Sequence, residues 1–226
     1  FWSAAYHRFI KTSMTTISIT DDTARLEGEL IIPPGAQGIV VFAHGSGSSR
    51  FSPRNNYVAK IIRDRGLGTL LFDLLTRQED QNYTTRFEIS LLTQRLLAAT
   101  AWLGAETKTS KLKIGYFGAS TGAAAALQAA AKFGRKIAAV VSRGGRPDLA
   151  GVSALEKVMS PTLLLVGGAD DGVIELNEQA YSRLQCKKQL VLIPGATHLF
   201  EEPGTLEQMA NQAADWFVHY LTDTAA

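Results

Sequence analysis

The chain has 226 residues, 46% of them apolar, with 23 Lys and Arg against 21 Asp and Glu and a formal net charge of +2. That size suits one α/β domain with a sizeable core, and the scattered basic residues argue against a nucleic-acid partner. The single cysteine, Cys186, rules out an internal disulfide framework and reads as a packing or surface residue, and no apolar run approaches the length of a membrane span.

Phe1 to Ser13 are aromatic, carry Arg8 and Lys11, and lack the continuous apolar core of a signal peptide. Met14 is a candidate natural start. Residues 1–13 are therefore set aside as an extension, residues 14–226 are expected to form one domain, and a cytoplasmic location is expected.

Thr15 to Thr20 and Ala24 to Ile32 read as two strands of a hairpin joined at Asp21-Asp22, with the partial alternation of a half-exposed edge. Pro33-Pro34-Gly35 ends that unit. Gly38 to Ala43 is a continuous apolar run, as in a central strand, and it enters the glycine-serine loop His44-Gly45-Ser46-Gly47-Ser48-Ser49. Asn56 to Arg65 has helical spacing and stops at Gly66. Gly68 to Asp73 is the next buried strand, and Thr76 to Thr85 a polar stretch.

Phe87 to Leu103 predicts a long amphipathic helix. Ile114 to Phe117 predicts a strand, Gly118-Ala119-Ser120-Thr121-Gly122 a sharp turn, and Ala123 to Lys132 a tightly packed helix. Ile137 to Ser142 is another strand, followed by Arg143-Gly144-Gly145 and a short helix around Leu149 to Val158. Thr162 to Val166 and Gln189 to Ile193 are the last strands, with Ile174 to Leu184 and Leu206 to Leu221 as helices. Alternating strands and helices imply a mostly parallel sheet of about eight strands with helices on both faces, the first two strands being antiparallel additions. The short link over residues 143–161 leaves no room for a large lid domain.

Ligands of open parallel sheets sit beyond the carboxyl ends of the strands. The polar residues found there are His44 to Ser48, Asp73, Ser120, Arg143, Asp170 with Asp171, and His198. G-x-S-x-G between a strand and a helix holds its serine at a strained position with the hydroxyl raised, and the flanking glycines avoid collisions. Ser120 is thus the candidate nucleophile. A serine needs a neighbouring base; His198 suits that role, and a carboxylate behind it would fix its tautomer. The chain order Ser120, Asp170, His198 is the nucleophile–acid–base order of α/β-hydrolases. The amide of Thr121, next after the nucleophile, is a candidate oxyanion donor. No metal or organic cofactor is needed for this chemistry.

His44-Gly45-Ser46-Gly47-Ser48-Ser49-Arg50, Gly118-Ala119-Ser120-Thr121-Gly122, Gly167-Gly168-Ala169-Asp170-Asp171-Gly172-Val173 and Gly195-Ala196-Thr197-His198-Leu199-Phe200 together resemble the α/β-hydrolase fold, and within it the dienelactone hydrolase-like family. The resemblance covers the chain from about Met14 onward. It selects Asp170 over Asp171 as the acid, and it implies Ser46, after His-Gly, as the second oxyanion donor. Name-giving members carry cysteine at the elbow; Ser120 stands there in this chain, which argues against dienelactone as substrate. The resemblance therefore implies a serine carboxylesterase acting on small esters. A thioesterase, lactonase or amidase would use the same three groups. A non-catalytic hydrolase-fold binding module is the reading from another class, since the resemblance suggests that relatives are sometimes joined to phosphoribosyltransferase domains. The expected partner is a small ester substrate, with neither nucleic acid nor membrane.

Other residues have structural readings beside functional ones. His44 reads as structural in its loop, and His7 and His219 as surface residues. Arg143 would either bind a substrate carboxylate or phosphate, or pair with Asp148 or Asp73. Arg54 would contact substrate, or else Asn55 or Asn56 simply caps the helix. Tyr116 and Phe117 read as core, and Leu199 and Phe200 as an acyl pocket or as packing.

Overall fold

A computed structural model describes residues 14–21 and 24–222. Eight strands form one sheet: β1 (Met14–Asp21), β2 (Ala24–Ile31), β3 (Gly38–Ala43), β4 (Gly68–Phe72), β5 (Lys113–Ala119), β6 (Ile137–Arg143), β7 (Thr162–Gly167) and β8 (Lys188–Ile193). Their spatial order is β1-β2-β4-β3-β5-β6-β7-β8. β1, β2 and β4 are joined antiparallel, and β4, β3, β5, β6, β7 and β8 run parallel. This is the arrangement of the α/β-hydrolase fold. Residues 1–13 and Asp22, in the predicted hairpin turn, lie outside the described residues.

β3 to β7 are wholly or almost wholly buried along their length, which is why they read as unbroken apolar runs rather than alternating ones. Helices cover both faces. On one lie α3 (Ile89–Ala105), α4 (Thr121–Phe133), the single-turn α5 (Val152–Leu155) and α6 (Asp171–Arg183), around a core that includes Leu96, Tyr116, Leu127 and Leu164. On the other lie α1 (Pro53–Asp64) and α7 (Thr205–Leu221), around Phe42, Phe117, Ile62 and Phe217. Tyr116 and Phe117 are core residues, as expected. Among the described residues no helix is long and apolar enough to cross a membrane.

The chain reverses direction across the sheet at β3. It steps from β3 outward to β4, then crosses to β5 on β3's other side. A crevice opens at the carboxyl ends of strands where such a switch occurs, so the His44 loop after β3 and the elbow after β5 face each other there.

Three local expectations are corrected. The helix expected from Asn56 begins at Pro53, and its cap is Ser52, whose hydroxyl accepts the Asn55 amide at 3.3 Å; proline at the first helical position and serine before it are the signal. Neither Asn55 nor Asn56 is the cap. The polar stretch after Asp73 holds a further turn, α2 (Arg77–Asp80), closed by a capping box between Thr76 and Glu79. The helix expected at Leu149 to Val158 is broken at Gly151, whose φ of +82° ends a 3-10 turn over Pro147–Ala150 before α5 begins.

That added turn is anchored by a buried charge. Arg95 of α3 is 0% exposed and donates to Asp21 at 2.8 Å and to Glu79 at 2.7 Å. Burial raises the Glu79 pKa, but Thr76 and Arg95 together hold it below the usual carboxylate value. Its contribution to stability is present above the ordinary carboxylate range and is lost as pH falls below that range through the lowered folded value. Arg95→Ala should destabilise the fold by about 3–5 kcal/mol in urea melts, because two carboxylates lose their buried partner. The combined variant R95M/D21N/E79Q should recover part of that loss.

Candidate active site

α4 starts directly after β5, with Ser120 as the turning residue at φ +49°. Such a backbone costs a non-glycine residue on the order of 1–3 kcal/mol and persists only where the surroundings enforce it. Here they do. A Cβ on Gly122 would lie 2.1 Å from the Ala43 carbonyl oxygen, and one on Gly118 would lie 2.5 Å from Ala123 Cα. The Ser120 amide donates to the Arg143 carbonyl at 3.3 Å, and the Ser120 carbonyl accepts the Arg146 amide at 3.0 Å. The half-buried side chain is left at the sheet edge.

Asp170 ends the turn after β7 and caps α6; His198 lies in the turn after β8. The structure joins them, His198 Nδ1 being 2.7 Å from Asp170 Oδ2. A carboxylate on Nδ1 fixes the tautomer and leaves Nε2 as the ring nitrogen available for a proton. Asp171 is the exposed first residue of α6 and has no such contact. Ser120 makes no hydrogen bond to His198 here; the two are linked through the loop after β6. Gly144 in that loop adopts φ +48°, and a Cβ on it would come within 3.2 Å of the His198 carbonyl oxygen and 3.6 Å of its ring. Gly144 is a site residue that sequence reasoning passed over; the glycine pair right after a buried strand was its signal.

Ser46 and Thr121 line one narrow crevice together with His44 and Arg86. Thr121 opens α4, so its amide has no acceptor in a preceding turn. His44 is 6% exposed, and its pKa is lowered by burial, against the opposing pull of the Gly45 carbonyl and of Asp73 and Asp80. A cavity of about 220 Å³ adjoins this crevice, walled by Ser48, Ser49, Phe51, Thr76 and Arg77. Among the described residues no group of three or more His, Cys, Asp or Glu could hold a metal ion.

Arg143 departs from its predicted ion pairs. Asp148 is held by Arg146 at 2.7 Å, and Asp73 by Arg50. Arg143 instead is 5% exposed, donates to Asn55 Oδ1 at 3.3 Å, and lies 5.9 Å from the Phe200 ring centroid. Its Nε has no partner. Burial, and then the neighbouring Arg54 charge, push its pKa down to about 10. Arg54 pairs with Glu201 at 3.0 Å. Phe200 is buried and Leu199 exposed.

Sheet order, elbow and strand-end residues define this protein as an α/β-hydrolase. More narrowly, the chain belongs to the dienelactone hydrolase family, whose sequence model matches residues 26–221. It is 54% identical to a dienelactone hydrolase from Anabaena variabilis, with a TM-score of 0.91 over 93% of this chain and 99% of that one. Est1E from Butyrivibrio proteoclasticus, at 16% identity, shares the fold, with a TM-score of 0.77 over 91% of this chain and 98% of that one. A Mycobacterium tuberculosis H37Rv protein with a provisional phosphoribosyl transferase name is 58% identical over 86% of this chain and 44% of its own length. This chain therefore spans less than half of that relative.

Gly144→Ala should reduce hydrolysis at least about tenfold while leaving the thermal transition sharp, because the strain and the added methyl act on the His198 loop. Turnover of p-nitrophenyl acetate beside a circular-dichroism melt measures this.

Proposed function

We propose that this protein is a serine carboxylesterase that hydrolyses small esters through an acyl-enzyme. The observation that carries the reading is the 2.7 Å bond between His198 Nδ1 and Asp170, at the same sheet edge as the strained Ser120 elbow. Family membership supports the hydrolase chemistry.

In this mechanism His198 Nε2 takes the Ser120 proton as Oγ attacks the ester carbonyl. The amides of Thr121 and Ser46 hold the developing oxyanion. Asp170 keeps the imidazole in one tautomer and stabilises its cation. His198 then protonates the departing alcohol. Water, deprotonated by the same imidazole, attacks the acyl-enzyme; the tetrahedral adduct collapses, the acid departs, and Ser120 regains its proton. Aliphatic thioesters and lactones satisfy the same steps, so a panel of these against p-nitrophenyl esters ranks the classes.

Arg143 enters the proposal as a substrate-facing residue. A buried guanidinium without a carboxylate is costly, and it lies beside Arg54 and the first turn of a helix, whose amino end is positive. An acyl group bearing an anion would relieve that cost. Arg143→Gln should then slow a hemisuccinate ester at least about tenfold more than a butyrate ester; equal slowing assigns Arg143 to packing alone.

Ser120→Ala should lower ester hydrolysis at least about a thousandfold. Asp170→Asn should do nearly as much, whereas Asp171→Asn should stay within about threefold of wild type. Fluorophosphonate should add one adduct to Ser120, read by intact mass; an unlabelled, folded wild type would favour the binding-module reading.

A further inference from the structure

The predicted role of His44 as a structural loop residue leaves its hydrogen bonds unused, yet one of them holds the peptide that precedes Ser46. We propose that His44 is a positioning residue, which pins the Gly45 carbonyl and thereby turns the Ser46 amide toward the oxygen that gains negative charge. The proposal rests on the esterase reading above and assigns a residue that reading does not employ.

The ring has two partners of opposite sense. The Leu74 amide lies 3.0 Å from Nε2, and Gly45 O lies 3.0 Å from Nδ1. A backbone amide only donates, so Nε2 must be the bare, accepting nitrogen. The ring proton then sits on Nδ1 and is donated to the Gly45 carbonyl. A protonated ring would set an Nε2 proton against the Leu74 amide. Burial opposes that state, and the two carboxylates that favour it, Asp73 and Asp80, are each neutralised by an arginine, Arg50 and Arg86.

The Gly45 carbonyl also accepts the Ser48 amide at 3.2 Å, so two donors hold it in place. The Gly45–Ser46 peptide is planar and trans, so the Ser46 N–H points opposite to that carbonyl. Ser46 lies in neither a helix nor a strand, and among the described residues its amide meets no protein acceptor. The loop abuts the elbow: a Cβ on Gly45 would lie 3.1 Å from Ser120 Cβ and 3.2 Å from the Ala119 carbonyl oxygen. Pinning the carbonyl on the ring side thus presents the amide in the crevice that Ser46 shares with Thr121. An oxyanion donor acts only if it is aimed before charge develops. Without the Nδ1 bond the carbonyl is held by the Ser48 amide alone, the peptide rotates more readily, and the donor is lost part of the time.

Two near-isosteric substitutions separate the two bonds. His44→Asn keeps a donor at the Nδ1 position and loses the Leu74 contact. His44→Gln keeps an acceptor at the Nε2 position and loses the Gly45 contact. With p-nitrophenyl butyrate, His44→Gln should lower kcat about tenfold to a hundredfold with KM within about twofold, while His44→Asn should stay within about fivefold of wild type. Affinity for a trifluoromethyl ketone, whose adduct bears an oxyanion, should fall in parallel with kcat. The opposite order, glutamine active and asparagine impaired, would make His44 an anchor for Leu74 and overturn the proposal, as would equal activities. In the wild type, ¹⁵N NMR of the His44 ring should show a protonated Nδ1 and a bare Nε2 near neutral pH. The other tautomer overturns the proposal even if neither variant folds. A wild type that neither hydrolyses esters nor accepts fluorophosphonate defeats the esterase reading itself and this proposal with it. Labelled, active wild type with unaltered variants defeats this proposal alone.

Discussion

At the β5–α4 elbow the chain passes so close to β3 that a Cβ on Gly122 would meet the carbonyl oxygens of Ala43 and His44 at 2.1 and 2.6 Å. Two backbones can approach this way only where side chains are absent. The contact has consequences on both sides. It forces Ser120 into its positive-φ position at the mouth of the crevice, and it brings the end of β3, with the His44 loop, against the amino end of α4. The alanines that follow Gly122 continue the close approach, since Ala123 to Ala126 are wholly buried. The Ser120 elbow and the loop that carries Ser46 are therefore placed by one packing event, and the parallel pairing of Ala43 with Gly118 sets its register.

Charge is distributed unevenly about this edge. Arg95 is buried with two carboxylates and ties α3 to β1 and α2, so the segment carrying Asp80 and Arg86 is held beside the His44 loop. Arg143 is nearly as buried and has no carboxylate, only an amide oxygen and an aromatic ring. The first arrangement stabilises a fold by mutual neutralisation. The second leaves a positive charge buried between the first turn of α1 and Phe200, close to the loop that carries His198.

Much of this was legible from residue order. Unbroken apolar runs marked β3 to β7 because strands covered on both faces need no alternation. Glycine-flanked Ser120 marked the elbow because only that residue pattern tolerates the turn. The turn at Thr76 to Asp80 was missed although its capping box is written in Thr76 and Glu79; it is too short for hydrophobic periodicity to reveal. The cap of α1 was misplaced from Ser52 to the asparagines because Asn55 and Asn56 are equally good caps by type. Asn55 turned out to be spent on Arg143, a partner 88 positions away.

By itself the sequence determined what short-range rules can read: the strand and helix succession, the elbow, and which polar residues end the strands. Tertiary structure decided which of those residues meet. It joined Asp170 rather than its neighbour Asp171 to His198, because α6 begins between them and directs the second carboxylate to solvent. It gave Asp148 to Arg146 and Asp73 to Arg50, leaving Arg143 without either. It also turned His44 toward Gly45 and Leu74. Pairings of this kind depend on crossing angles and separations between distant elements, and these arise only when the sheet closes and its two helical layers pack.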